Sequence, residues 1–245
     1  MIRKSLAEKK IGKQFNFRWR GGEVSRIEGF SDAVFAFAIT LLVVSLEVPK
    51  TFSELKSTMF GFFPFAVCFA FLIYIWYHHY IFFRRYGLID NYVITLNSLL
   101  LFVVLFYIYP LKFLFSLLSD AIFNINSGES QFIISISDTS ALMIIYSSGY
   151  FAIFLLFMLL QYHALKKKVQ LELTKEEELY TRSGLYANLI HVSVAGFSIL
   201  IAAIGGSSYT GYAGWVYASI GPLYAVHGMI VSKRMKKILS PAVEG

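Results

Sequence analysis

The chain has 245 residues, of which 57% are hydrophobic and only 15% charged, with a formal net charge of +7. Soluble domains are nearer 45–50% apolar and about 25% charged, so this composition is typical of a protein with several membrane spans. The single cysteine excludes an intramolecular disulfide. Most cations flank apolar stretches and do not form a known nucleic-acid-binding motif, so a nucleic-acid partner is disfavoured.

The first 25 residues are basic, and we predict that they form a separate cytosolic segment, 1–25. Phe15, Phe17 and Trp19 alternate with arginines here, which favours a position on the membrane surface. A solvated tail is the alternative. Polar residues precede the first apolar stretch, so the pattern is not that of a cleavable signal peptide.

Six apolar stretches follow, each with about the 20 residues that a helix needs to cross a hydrocarbon core of about 30 Å. We therefore predict an all-α integral membrane protein with six transmembrane helices in one domain, 26–233, and a cytosolic tail, 234–245. The link between the fourth and fifth spans is predicted to be a solvated helical extension. The predicted spans are 27–48, 59–83, 92–118, 139–165, 183–204 and 212–232.

The distribution of cations predicts the orientation. Of the 22 Lys and Arg residues, 19 lie in segments that fall on one side of the six spans. By the positive-inside rule that side is cytosolic, which places both termini in the cytosol, as an even number of spans requires. We expect a multi-pass protein of the cell membrane.

The first predicted span carries a carboxylate, Asp32, about six residues inside its basic end. A charge at that depth costs about 2.5–3.5 kcal/mol on insertion scales, so it needs a partner. Counting residues inward from the basic side offers four hydrogen-bond donors at this level: Arg26, His78, His79 and Asn97. A cluster of Asp32 with these groups would fix helix packing or sense protons through its histidines. The alternative is that some histidines face the interface and bond lipid or water.

The same span has an apolar stripe. At 100° per residue, Phe37, Leu41 and Val44 lie close together with Thr40 beside them, whereas Asp32 lies about 140° away. If Asp32 faces the protein and the apolar stripe faces a symmetry axis, the span is a pore-lining helix with a hydrophobic constriction. Packing of the stripe against lipid or another helix is the alternative.

The sequence from Arg26 through Phe30, Ser31 and Asp32, continuing as AVFAFAITLL, resembles the signature of the transmembrane protein 175 family. The sequences WYHH at 76–79 and NSLL at 97–100 extend the resemblance. Members of that family are potassium channels, endosomal and lysosomal in animals, with shorter prokaryotic relatives.

The resemblance implies a homotetramer of six-helix subunits in the bilayer, with the first helix of each lining a central cation pore. It implies a constriction at Phe37, Leu41 and Val44, with Thr40 beside it. The motif from Arg26 to Asp32 would tie that helix to its neighbours. Phe37 departs from the family, where Ile or Leu is more frequent. A single six-span copy indicates a prokaryotic-type subunit.

We therefore expect a potassium-permeable cation channel, with potassium as the permeant ion and no cofactor. The sequence has no TVGYG filter, so selectivity would depend on pore width and the Thr40 hydroxyls. A proton-coupled secondary transporter using Asp32 and the inner-side histidines is the alternative, although no inverted repeat accompanies it. No HExxH or GxSxG motif occurs, so we predict no metal site, no catalytic residue and no enzyme. A scaffold without transport is the remaining alternative.

Overall fold

The computed structural model describes residues 13–14, 17–44, 50–52, 55, 59, 62–123 and 135–239. A short antiparallel hairpin, β1 (Lys13–Gln14) and β2 (Phe17–Arg18), precedes the helices. The long helices are α1 (Arg26–Val44), α2 (Phe62–Tyr86), α3 (Asn91–Phe123), α4 (Thr139–Lys166) and α5 (Lys175–Gly205). They are followed by α6 (Thr210–Trp215) and α7 (Ile220–Leu239), and 3-10 turns lie at Ile136–Asp138, Gly206–Tyr209 and Val216–Ser219.

The helices confirm a helical protein with several membrane spans. Four stretches are long and apolar enough to cross a membrane: Phe65–Tyr86, Asn91–Leu114, Thr139–Lys166 and Lys175–Leu239. The last of these runs from α5 to the end of α7. The predicted continuation of the first span over 45–48 and the loop residues 124–134 lie outside the described residues, and the total of six spans remains a prediction.

The last predicted span, 212–232, falls on two α-helices and the turn between them. The 3-10 turn Val216–Ser219 separates α6 from α7. Pro222 lies in the first turn of α7, where its missing N–H interrupts no helical hydrogen bond, so the helix begins just before it. The helix then continues to Leu239, past the predicted start of the tail at 234.

The helices pack in an order that separates α1 from α7. α1 packs against α2 and α3, α3 packs against α4, and α4 and α5 form the most extensive contact. α7 packs against α5. The pore helix predicted from the sequence and the last helix therefore lie at opposite ends of this packing order.

The N-terminal hairpin docks on the helices. Phe17 is fully buried, and its ring meets Tyr86 edge-on with 5.6 Å between centroids. The guanidinium groups of Arg20 and Arg85 lie 5.7 and 5.1 Å from the Phe17 ring centroid, within cation–π distance. Phe17 is therefore not part of a solvated tail, and its ring packs against α2.

Glu177, in the first turn of α5, anchors the docked segment. Its carboxylate accepts hydrogen bonds from the backbone N–H of Arg18 at 2.8 Å and from Nη2 of Arg20 at 2.6 Å. It also accepts from the backbone N–H of Thr174 at 3.1 Å, which completes a capping box. The Glu177 side chain is 1% exposed, so the link predicted to be solvated contains a buried carboxylate that is paired with two partly exposed arginines.

The chain between the hairpin and α1 runs against the end of α2. The backbone N–H groups of Arg20 and Gly21 both donate to the carbonyl oxygen of Arg84, at 3.0 and 3.1 Å. A Cβ at Gly21 would stand 2.6 Å from the carbonyl oxygen of Phe83, so this approach requires glycine. The segment from Phe17 to Gly22, called the clasp below, thus joins α2, α5 and the start of α1.

The clasp makes stability depend on the charge of Glu177. Burial alone would raise the pKa of Glu177, but the hydrogen bonds from Arg20 and Arg18 outweigh it and lower the pKa to about 2. Because the pKa of Glu177 is lower in the folded than in the unfolded state, its ionised carboxylate stabilises the fold. This stabilisation is complete above the ordinary pKa of 4.5 and is lost as the pH falls toward 2. We expect Glu177→Gln to lower the free energy of unfolding at pH 7 by about 1.5–3 kcal/mol. It should also flatten the loss of stability between pH 5 and pH 3.

Thermal unfolding of the purified protein in detergent across this pH range measures both effects. Glu176→Gln is the matched control. It removes a carboxylate from the same helical turn, but this carboxylate has no hydrogen-bond partner among the described residues. Identical pH profiles for the two variants would contradict the anchoring role of Glu177.

Candidate pore helix and its anchors

One face of α1 is buried against α2 and α3. Ser31, Phe35, Ala38 and Leu42 recur at helical spacing on this face, and each is at most 2% exposed. At the start of the helix, Ser25 and Glu28 exchange hydrogen bonds: the Ser25 backbone N–H donates to Glu28 Oε1 at 3.0 Å, and the Glu28 N–H donates to Ser25 Oγ at 3.3 Å. This capping box fixes where α1 begins.

A buried chain of hydrogen bonds crosses from α1 to α3 and α2. Asn97 Nδ2 donates to Ser31 Oγ at 2.9 Å, and the Ser31 hydroxyl donates to the carbonyl oxygen of Ile27 at 2.7 Å. Asn97 Oδ1 accepts a hydrogen bond from His79 Nε2 at 2.8 Å. His79 Nδ1 is buried with no partner in the described structure, so a second proton on this ring would have no acceptor. The network therefore suits a neutral imidazole.

Asp32 does not join this network. Its side chain is exposed on the subunit, and Oδ1 accepts a hydrogen bond from Trp76 Nε1 at 2.8 Å. The prediction of a buried acid with histidine or asparagine donors is therefore wrong for the subunit. Ser31, one position earlier and about 100° round the helix, is the residue that faces α2 and α3. The long indole of Trp76 reaches round the edge of α2 to meet the carboxylate.

Trp76 connects Asp32 to the clasp through aromatic contacts. Its ring stacks on Tyr80 with 5.7 Å between centroids, and Tyr80 meets Trp19 edge-on at 6.5 Å. Arg26, which the sequence offered as a donor to Asp32, is exposed and has no hydrogen-bond partner in the described part of the chain. The sequence motif therefore contributes two different anchors, Ser31 toward α3 and Asp32 toward α2.

The other histidines lie away from Asp32, each with its own neighbours. His78 packs against the rings of Tyr74 and Phe157, with 4.4 and 5.8 Å between centroids. The remaining three have hydrogen-bond partners: His163 with Asp90, His191 with Tyr150 and Tyr224, and His227 with Ser183. Among the residues described, no group of three or more His, Cys, Asp or Glu could hold a metal ion.

The face of α1 opposite the buried one is uncovered within the subunit. Phe30 and Phe37 are 63% and 56% exposed, Thr40 is exposed, and Leu41 is half-buried. The Thr40 hydroxyl donates its proton to the carbonyl oxygen of Ala36 at 2.9 Å, so its oxygen remains available as an acceptor. The side chain of Val44, the last residue of α1, lies outside the described residues.

Two features of the sequence bear on this site but are not part of the predictions above. Trp76 is one of them, because an indole N–H on a partly buried ring commonly finds an acceptor. Ser25 and Glu28 have the spacing of a capping box immediately before an apolar stretch, which is a helix-start signal that the sequence does contain.

Comparison with known proteins gives consistent matches. A model of the family described as endosomal/lysosomal potassium channel TMEM175 matches residues 26–107. A potassium channel of Marivirga tractuosa is 44% identical over 244 residues, covering 96% of this chain and 99% of its own length. A potassium channel of Chamaesiphon minutus is 36% identical over 96 residues, covering 36% of this chain and 47% of its own length.

Among solved structures, a crystal structure of a variant of the potassium channel MtTMEM175, in complex with a nanobody–MBP fusion protein, has the same fold. It superposes with a TM-score of 0.81 at 45% sequence identity. The match covers 91% of this chain and 100% of that one.

The buried chain through Asn97 predicts energetic coupling between α1 and α3. Asn97→Leu leaves the Ser31 oxygen and the His79 N–H without their partner, and Ser31→Ala leaves the Asn97 amide without an acceptor. We expect each variant to lower the free energy of unfolding by about 1–3 kcal/mol. The double variant should lose at least about 0.5 kcal/mol less than the sum of the two.

Thermal unfolding of the purified variants in detergent measures this coupling. Ser98→Ala is the control, because its hydroxyl is exposed and bonds only the carbonyl oxygen of Ile94 within its own helix. Strictly additive losses for Ser31 and Asn97 would show that the two side chains act separately.

Proposed function

The chain belongs to the TMEM175 family of potassium channels, and on that premise we propose that it is a potassium-permeable cation channel of the cell membrane. In this proposal, four copies surround one pore, α1 of each copy lines it, and no cofactor is needed. The observation that carries the proposal is the uncovered face of α1, on which Phe37 and Thr40 are exposed while the opposite face is buried.

The exposure of Asp32 supports an assembly around α1. A carboxylate at membrane depth costs about 2.5–3.5 kcal/mol if it faces hydrocarbon. Asp32 has one hydrogen bond from Trp76 and is otherwise exposed on the subunit. A neighbouring subunit or a water-filled lumen would remove that cost, and closing a ring of copies around α1 supplies both.

The chemistry of the uncovered face suits a narrow cation pathway. Phe37 from each copy would form an apolar ring, and a ring of this kind gates by excluding water. One turn further along, the Thr40 oxygens have their protons committed to the Ala36 carbonyls and would present acceptors to a cation. Because few oxygens replace the hydration shell, we expect modest selectivity for potassium. Leu41 and Val44 would continue the apolar lining.

The buried contacts of α1 give the motif residues a positioning role in this proposal. Ser31 and Asp32 hold α1 to α3 and α2, and the clasp holds its start. Six spans and cytosolic termini complete the proposed subunit, with a basic segment at 1–25, the channel domain at 26–233 and a tail at 234–245.

A proton-coupled transporter is disfavoured by the arrangement of the described polar residues. A relay through Asp32 would need a titratable partner, but its donor is the indole N–H of Trp76, which has no acceptor site to pass a proton on. The histidines of the described region bond other groups, and His79 is buried on the far side of Ser31 from the uncovered face.

Potassium flux into liposomes that contain the purified protein tests the proposal. We expect Phe37→Ala to raise flux severalfold, because four small side chains widen the constriction and admit water. Thr40→Ala should lower the ratio of potassium to sodium flux, because it removes the oxygens from the pathway.

Phe197→Ala is the matched control, since Phe197 is 64% exposed on α5, a helix that does not pack against α1. It should change neither flux nor selectivity. Flux coupled one-for-one to protons would favour the transporter instead. Chemical cross-linking that stops at a dimer would contradict the four-fold pore.

A further inference from the structure

A groove of about 480 Å³ lies between α5 and α7, at the end of the packing order opposite to α1. Its walls are largely apolar and include Tyr186, Ile190 and Leu223. At the basic end of the two helices the groove is flanked by Arg182 and Arg234. It therefore combines an apolar channel with a cationic mouth.

The groove is open along α7, which meets α5 and, through the hydrogen bond between Tyr224 and Tyr74, also α2. None of the α7 residues is buried, and the helix packs against α5. Ser183 Oγ and His227 Nε2 lie 2.9 Å apart and link the two helices close to the arginines. On α5, the lining runs from Leu179 to Ser193, which is about 21 Å along a helix. That length exceeds the roughly 15 Å depth of one leaflet's hydrocarbon, half of the core.

Both arginines retain donors that the described residues do not use. Arg182 donates to Glu178 through Nε at 3.1 Å and Nη2 at 2.7 Å, which leaves Nη1 without a partner in the described structure. Arg234 is exposed and has no hydrogen bond or ion pair within the described residues. The nearby acid, Glu178, is already paired with Lys168 as well as with Arg182.

The charged residues that α7 contributes near the groove are all positive. Arg234 is accompanied on the last turns of α7 by three lysines, and α7 contains no acidic residue. A basic cluster at the cytosolic end of a membrane helix attracts anionic lipid by about 1 kcal/mol for each cation near the surface. Guanidinium groups also bind phosphate oxygens through paired, charge-assisted hydrogen bonds. The three lysines are Lys233, Lys236 and Lys237.

We propose that this groove binds an anionic phospholipid of the leaflet on the basic side of the membrane. The lipid phosphate lies between Arg182 and Arg234, and one acyl chain follows the apolar walls past Ile190 and Leu223. This proposal does not depend on the proposed pore, because lipid binding is measured without any measurement of conduction.

Native mass spectrometry of the full-length protein tests the headgroup site, with phosphatidylglycerol and phosphatidylcholine of identical acyl chains added to the detergent. The wild-type protein should retain phosphatidylglycerol at least about fivefold better than phosphatidylcholine, equivalent to about 1 kcal/mol. Arg234→Gln should abolish that preference. Lys236→Gln, which removes the same charge about 200° round α7, should preserve it. Equal losses in the two variants would mean diffuse attraction without a site and would overturn the proposal.

Leu223→Trp tests the acyl-chain site, because an indole at this position fills the groove. It should reduce retention of phosphatidylglycerol at least about fivefold, whereas Val226→Trp, at an exposed neighbouring position outside the groove lining, should not. Retention that is unaffected by Leu223→Trp but displaced by inorganic phosphate would identify a free-phosphate site and overturn the proposal.

A smaller oligomer for Leu223→Trp would identify a contact between copies and would also overturn it. If Leu223→Trp does not fold, the comparison of Arg234→Gln with Lys236→Gln still decides the proposal, since both residues are exposed.

Discussion

The buried amide of Asn97 determines which face of α1 is left free. In a bilayer, apolar burial gives little rotational preference, because lipid tails are as apolar as Leu and Phe side chains. Directional bonds must therefore fix the rotation of a helix. Asn97 binds Ser31 on one side and His79 on the other, all within the buried region. A turn of α1 by one residue, about 100°, would break this chain and move Phe35 out of the core.

The position of α1 along its axis depends on a second set of bonds. The capping box of Ser25 and Glu28 fixes the first turn, and the clasp ties the preceding residues to Arg84 and Glu177. Glu177 belongs to α5, so the start of the proposed pore helix is joined to a helix that α1 does not itself touch. A change in the charge of Glu177 would therefore act on α1 without any contact between the two.

The helical spans and the side of each helix on which a residue lies could be predicted from the sequence, because span length and the 3.6-residue period do not depend on tertiary contacts. That Phe37 and Thr40 lie on one side of α1, away from Ser31, follows from that period, but the period does not show whether that side is covered by another helix. The partner of Asp32 does not follow from it, because depth counting ignores the reach of a side chain and the rotation of α2, which together select Trp76. The contacts of the clasp are unpredictable from the sequence for another reason. Arg18 and Glu177 are 159 positions apart, and no periodic pattern in a sequence predicts a hydrogen bond between such distant residues.

The two ends of the packing order expose apolar surface of different electrostatic character. The uncovered side of α1 carries Arg26 and Asp32, opposite charges about 9 Å apart along the helix, and a rotational ring can place one beside the other. The corresponding end of α7 carries four cations and no acid. Two such surfaces repel each other, so a contact between copies through α7 would be costly. Charge therefore supports both proposals, in which further copies of the chain cover the α1 face and an anionic lipid occupies the α7 groove.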